Sequence, residues 1–366
     1  MEHGGNLLKF GKRYQKREDE IIDFSSNANP LPIPPSIANA YRESLGDLAR
    51  YPDPYAEPLC EKIAELFSFF SEQVIAGNGS FEILDLAIRT LLPKRALLIE
   101  PCFGEYRRLL QLAGAKVDHV VLKPEEGFAF PLEKILEHFN QTQLLILCHP
   151  NNPTGNAIEK DKLHFLLNEA KRKGVFVIAD EAFVDWTPEI SMASLAKDSE
   201  HLLIVRSMTK FFALAGIRSG FALGSKRMIR AMKERQGPWA CNRIAQKISF
   251  AALDDHHFQI KSRQWLKEEK AWVAQAFREL EMFQVFPSLA NFFLIQSHKP
   301  LVDFYDFLGQ RGIYVRSAAD YLGLDDSYFR IGVRLREDNQ KLIKALSEWI
   351  YSHEKTHDQP AVVSSR

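Results

Sequence analysis

The stretch from 143 to 180, QLLILCHPNNPTGNAIEKDKLHFLLNEAKRKGVFVIAD, decides the fold. It opens on a short apolar run, QLLILCH at 143–149, and closes on another, VFVIAD at 175–180. Runs of this length bounded by polar turns suit strands buried on both faces of a mainly parallel sheet. Between them Glu159–Lys173 carries a helical pattern, which supplies the crossover that a parallel pair of strands needs.

The same alternation extends outward in both directions. RALLIE at 95–100, KVDHVVL at 116–122, HLLIVRS at 201–207 and SGFALGS at 219–225 are further strand-like runs, and Phe103–Ala113 is a second helical crossover. An α/β domain with a large, mainly parallel sheet follows. Beyond about residue 250 the texture changes to a helical stretch at Phe258–Leu280, a strand-like NFFLIQ at 291–296, a helix at Pro300–Gln310, then GIYVR, YFRIGVR and a last helix. That order predicts a smaller α+β domain. The expected organisation is an N-terminal arm (1–40) joining the small domain, a large domain (41–252), the small domain (253–352) and a polar tail (353–366) that frays.

Bulk properties narrow the function. A chain of 366 residues with 46% hydrophobic residues can bury a large core divided between two lobes. Lys+Arg 47 balances Asp+Glu 47, so no excess positive field is available for a nucleic acid or an anionic membrane. Any anion must be held locally. The first twenty residues are too charged for a signal peptide, and no window approaches a membrane span, so a cytoplasmic protein is expected. Cys60, Cys102, Cys148 and Cys241 lie far apart and read as free thiols. Asp254-Asp255-His256-His257 has no distant partner set with ligand spacing and reads as a solvated helix start, so no metal is expected.

Five local features carry chemistry, and their order matters more than any one of them. Gly77-Asn78-Gly79-Ser80 turns into a helix, offering free N–H groups and the positive end of a helix dipole to an anion, or simply an N-cap. His149-Pro150-Asn151-Asn152-Pro153-Thr154-Gly155 follows a buried strand, where open sheets bind ligands, although it also reads as a plain Pro- and Gly-shaped turn. Asp180-Glu181-Ala182-Phe183 ends a strand in acid, a helix cap or a counter-charge to a protonated ring nitrogen. In Ser207-Met208-Thr209-Lys210-Phe211-Phe212, hydroxyls and aromatics surround a lysine that partial desolvation would turn into a competent Schiff-base amine, with Arg218 eight residues on to hold a phosphate. Arg316, Arg330 and Arg334 supply planar forks for carboxylate or phosphate; of these, Arg334 reads as a surface charge.

With these residues in this order, the chain resembles the fold-type I pyridoxal-phosphate enzymes of the class I/II aminotransferase group, from about His3 to Trp349. Within the group it is similar to the histidinol-phosphate aminotransferases and, more closely, to the threonine-phosphate decarboxylases of cobalamin biosynthesis. His3-Gly4-Gly5-Asn6, Asp23 to Leu31, Asp180 to Asp185, Gly237-Pro238-Trp239 and Arg316 to Arg334 carry the closer match.

The resemblance implies pyridoxal 5'-phosphate as cofactor, with Lys210 as its Schiff-base lysine and as the group that moves protons at the substrate carbon, and Asp180 keeping the ring nitrogen protonated. It further implies Asn152 at the ring hydroxyl, Phe103 on the ring face, and Gly79, Ser80, Ser207, Thr209 and Arg218 around the phosphate. Tyr51 matches a tyrosine that reaches the neighbouring subunit's cofactor phosphate, so a homodimer is implied. For a small phosphorylated amino-acid substrate, Arg330 matches a carboxylate-binding arginine and Arg316 a phosphate-binding one. Asn27 and the His3–Asn6 segment are expected to close that end. Two positions depart from the pattern: Phe183 stands where many aminotransferases have a tyrosine, and Pro32 where a glycine often follows Asn29-Pro30-Leu31.

Overall fold

The structure, a computed structural model, describes residues 4–357. Strand β1 (Ile22–Asp23) belongs to an N-terminal arm that also carries the helix Leu7–Tyr14. Seven strands then build one sheet: β2 (Val74–Gly77), β3 (Arg95–Glu100), β4 (Lys116–Val121), β5 (Leu144–Cys148), β6 (Phe176–Asp180), β7 (Leu202–Ser207) and β8 (Gly220–Leu223). Their spatial order is β2-β8-β7-β6-β5-β3-β4. Only β8 runs against the rest, pairing antiparallel with both β2 and β7. The mainly parallel sheet expected from the apolar runs is therefore present.

Burial explains why those runs were legible. Every residue of β5, β6 and β7 is buried, as befits central strands covered by helices on both faces. The edge strand β4 is mostly half-exposed, and Lys116, Asp118 and His119 are tolerated there. The crossover at 159–173 is the helix Lys160–Lys173, ended by Gly174 in the left-handed conformation at φ 71°.

The smaller sheet contains β9 (Phe283–Val285), β10 (Phe292–Ser297), β12 (Arg316–Ser317) and β13 (Tyr328–Gly332), in the order β12-β13-β10-β9, all antiparallel. Strand β11 (Ile313–Tyr314) lies just before β12 and pairs parallel with β1, Ile22 opposite Ile313. The arm is tied down further by Phe10 stacked on Tyr314 at 4.5 Å and by the Tyr14 hydroxyl donating to Asp306 at 2.7 Å.

Three local expectations shift. The helix expected at Phe258–Leu280 is His256–Arg278, because Asp255 caps it by accepting from the Phe258 N–H at 2.8 Å. The helix expected from Pro300 starts at Phe304. The last helix, Arg336–His357, runs past Ser352, where fraying was expected; residues 358–366 lie outside the described residues. The expected domain borders at 40 and 252 fall inside the helices Pro35–Ser44 and Arg243–Asp254, which pack on each other. All four cysteines are free and buried.

Candidate active site

A cavity of about 260 Å³ opens at the carboxyl ends of β3, β5, β6 and β7, between the large sheet and β12–β13. Its first wall is made by the turn after β2. Gly79 adopts φ +87°, and a Cβ there would lie 2.6 Å from Arg218 Nη2, so glycine alone lets the guanidinium approach. The following helix, Ser80–Leu91, aims its N-terminus at the same place. Ser80, Ser207, Thr209 and Arg218 all line the cavity, and the Ser207 and Thr209 hydroxyls are 2.7 Å apart. A helix N-terminus, three hydroxyls and a guanidinium form a cradle for a phosphate.

The middle of the cavity is built around Asp180, the last residue of β6 and only 4% exposed. Its Oδ2 accepts from the Tyr106 hydroxyl at 2.6 Å and its Oδ1 from the Ala182 N–H at 3.0 Å. Burial pushes its carboxyl up to about 6, against the opposing pull of these two hydrogen bonds and of the Lys210 charge. The neighbouring Glu181 does not line this cavity and is bound by Arg206 at 2.7 Å, as strand alternation requires. Phe103 and Asn152 reach the cavity from the loops after β3 and β5, and Phe183 lines it while packing edge-on against Phe292 at 5.0 Å.

Lys210 sits on the loop after β7, fixed by its carbonyl accepting from the Asn29 N–H at 2.9 Å. Asn29 also donates to the Phe211 carbonyl at 2.8 Å and to Ser262 at 2.9 Å, so the arm braces the loop. Burial, with the charges of Arg330 and Arg218, brings the Lys210 ammonium down to about 8. A neutral, nucleophilic amine is thus accessible near neutral pH.

The far wall carries two arginines. Arg316 on β12 and Arg330 on β13 are directly opposite partners across the ladder, and both are buried. Arg330 donates to Asn152 Oδ1 at 2.5 Å and to the Ser25 carbonyl at 2.8 Å. Arg316 donates to the Ser317 carbonyl at 2.6 Å and, through Nη2, to both oxygens of Asp320 at 2.8 Å. Asn27 also lines this wall, and its buried Oδ1 has no hydrogen-bond partner among the described residues.

Of the residues singled out in the sequence, Asn27, Ser80, Phe103, Asn152, Asp180, Ser207, Thr209, Lys210, Arg218, Arg316 and Arg330 are brought to this one cavity. Asn6 is not; its side chain caps the helix Leu7–Tyr14 by accepting from the Lys9 N–H at 3.1 Å, while Gly4 of the same segment does line the cavity. His3 lies outside the described residues. Tyr51 is 78% exposed, its ring 5.1 Å from that of Trp239. Arg334 stays outside the cavity, with Nε 3.8 Å from Asp338. Sequence reading passed over Tyr106, Arg107, Asp320 and Tyr321, which also line it.

The donor set fits pyridoxal phosphate: an anion cradle at one end, an amine and a buried carboxylate in the middle, an amide and an aromatic ring beside them. No group of His, Cys, Asp and Glu that could hold a metal occurs among the described residues, and no helix among them is long and apolar enough to cross a membrane.

Comparison with known proteins agrees. The profile of the family described as aminotransferase class I and II matches residues 19–346, and the chain belongs to that family. Its fold is that of the fold-type I pyridoxal-phosphate enzymes, and its cofactor is pyridoxal 5'-phosphate. The chain is 34% identical to the threonine-phosphate decarboxylase of Salmonella typhimurium, over 94% of this chain and 95% of that one. It is 32% identical to the adenosylcobalamin biosynthesis bifunctional protein CobDQ of Leptospira interrogans, over 96% of this chain and 41% of that longer protein. Among solved structures, the histidinol-phosphate aminotransferase of Clostridium acetobutylicum superposes with a TM-score of 0.85 at 31% identity, covering 90% of this chain and 99% of that one.

Proposed function

We propose that this protein decarboxylates L-threonine O-3-phosphate to (R)-1-aminopropan-2-yl phosphate, a step of cobalamin biosynthesis. The observation that carries this reading is Arg316 opposite Arg330. Like charges directly opposed across a ladder destabilise a sheet, so a second arginine here points to a substrate with two anionic groups. With Arg218 at the cofactor-phosphate cradle and Arg107 paired with Glu100 at 2.7 Å, Arg330 is left for the substrate's carboxylate and Arg316 for its phosphate. The likeness to the Salmonella decarboxylase and to the Leptospira bifunctional protein supports the same reading.

Pyridoxal phosphate supplies an electron sink for the pair left at the substrate α carbon when a bond there breaks. This chain's residues do the rest. With the cofactor bound, Asp180 would keep the ring nitrogen protonated, Phe103 would cover one ring face, and Asn152 would hold the ring hydroxyl. Arg330 and Arg316 would set the rotation of the substrate, and with it whether the bond to the carboxylate or the bond to hydrogen at Cα is placed to break. Held for decarboxylation, the substrate would lose CO2 from Cα, and Lys210 Nζ would return a proton there in its place. We further propose a homodimer in which the exposed Tyr51 reaches the neighbouring site.

The test offers the pyridoxal-phosphate-loaded protein L-threonine O-3-phosphate without a keto acid. CO2 release is expected; a strict keto-acid requirement would overturn the reading. The second reading is an aminotransferase of the histidinol-phosphate type, favoured by the 31% identity to the Clostridium enzyme. Conversion of the bound cofactor to its pyridoxamine form by the amino donor alone would select it.

A further inference from the structure

Arg316 has been assigned above to a substrate phosphate, yet its guanidinium is already engaged. Nη2 donates to both carboxylate oxygens of Asp320 at 2.8 Å, and Nη1 to the Ser317 carbonyl at 2.6 Å. The two partners differ in setting: the Arg316 side chain is 8% exposed, whereas that of Asp320 is 33% exposed, on the loop that links β12 to β13. Both line the cavity.

The pairing has a clear electrostatic cause. Arg316 lies opposite Arg330 and is buried, so an empty cavity would otherwise hold two uncompensated cations on adjacent strands. Asp320 supplies one negative charge to the outer of them. The same carboxylate then stands where an anionic substrate group must bind. A monoanion arriving at Arg316 would exchange one carboxylate-type contact for another of equal charge. A phosphate dianion brings a second charge and three acceptor oxygens, so it competes successfully for the guanidinium.

We infer that Asp320 is an internal competitor for Arg316, one that a doubly charged phosphate displaces and a singly charged group does not. The inference rests on the assignment of Arg316 to the substrate's phosphate. Asp320 thereby raises the threshold for anions at this end of the site, lowering affinity for phosphate and leaving a singly charged group no net gain at Arg316. The carboxylate swings outward to release Arg316, a movement its exposure permits.

The experiment titrates inorganic phosphate calorimetrically into the pyridoxal-phosphate-loaded protein, where the cofactor's own cradle is filled. Wild type is compared with Asp320→Asn, Asp320→Ala and Arg316→Ala, and with Asp320→Asn combined with Arg316→Ala. Removing the competing charge is expected to tighten phosphate about tenfold in both Asp320 variants, with the gain absent from the double variant. In parallel, kcat/KM for L-threonine O-3-phosphate relative to L-threonine is expected to rise in Asp320→Asn, because the neutral hydroxyl never has to displace the carboxylate. Equal or weaker phosphate binding in both Asp320 variants overturns the inference, as does a gain that survives without Arg316. If threonine phosphate is turned over but phosphate does not tighten, the competitor role fails and the proposed function stands. If phosphate tightens through Arg316 but threonine phosphate is not turned over, the substrate reading fails and the competitor role stands.

Discussion

The hydroxyl of Tyr106 donates a 2.6 Å hydrogen bond to Oδ2 of Asp180, inside a site where both residues are buried. With Ala182 N–H on Oδ1, the carboxylate is held at both ends and keeps a lone pair on each oxygen for the cavity. Hydrogen bonds to a charged acceptor contribute about 1.5–3 kcal/mol. Tyr106→Phe is therefore expected to weaken cofactor affinity by roughly ten- to a hundredfold, because Asp180 loses its orientation and part of its negative form. Equilibrium dialysis of pyridoxal phosphate measures it; unchanged affinity would remove Tyr106 from this role.

Burial raises the folded-state pKa of Asp180 to about 6, so between the unfolded carboxylate value and that point the folded, cofactor-free protein binds the extra proton. Stability from this group is fully present below the unfolded value and lost as pH rises through about 6. Asp180→Asn is thus expected to stabilise the cofactor-free protein at pH ~7.5 by a few kcal/mol, with the gain vanishing near pH ~4. Thermal melts at the two pH values test this, and the cofactor-loaded protein should show the opposite sign.

Lys210 follows the mirror logic. Its folded pKa is lowered to about 8, so its contribution is present above the unfolded lysine value and lost as pH falls through about 8. Lys210→Ala is expected to remove covalent attachment of the cofactor, seen as loss of the visible absorbance of the bound form, and to cut turnover by ~10³-fold or more. Full turnover in the variant would displace Lys210 from the centre of the mechanism.

Arg316→Ala and Arg330→Ala should separate the two ends of the substrate. The first is expected to raise KM for L-threonine O-3-phosphate about a hundredfold and KM for unphosphorylated amino acids only slightly; the second should harm both, since both carry the carboxylate. Equal losses for both substrates in Arg316→Ala would remove it from the phosphate role.

The dimer has its own signature. If Tyr51 serves the neighbouring site, dimers combining one Lys210→Ala chain with one Tyr51→Ala chain contain one native site. Mixing and reassembling the two variants should then restore about a quarter of wild-type activity, the statistical share of native sites. No recovery above the two parents would place Tyr51 in its own chain's site.

The large sheet was legible because its central strands are buried on both faces, which leaves unbroken apolar runs in RALLIE, QLLILCH and VFVIAD. The same continuity hides direction: nothing in SGFALGS distinguishes the antiparallel β8 from its parallel neighbours. Asp180 at a strand end and Lys210 in the loop after one were visible because charge interrupts an apolar texture. Tyr106 was not, since a tyrosine on an amphipathic crossover helix looks like core until its hydroxyl meets a residue 74 positions away. Asp320 escaped for another reason: an acid in a polar loop has no reason to stand out until the ladder sets Arg316 against Arg330.

The short pairing of β1 with β11 has a consequence for how the substrate end is held. Tyr314 closes β11, Val315 follows, and Arg316 opens β12, so the arm grips the chain two residues from the Arg316 guanidinium. Asn29, further along the arm, grips the lysine loop from the other side. A single segment therefore sets the spacing between amine and guanidinium. Loosening of the arm, followed by hydrogen exchange at Ile22 and Tyr314, would register as a change in the reach of substrate the enzyme accepts.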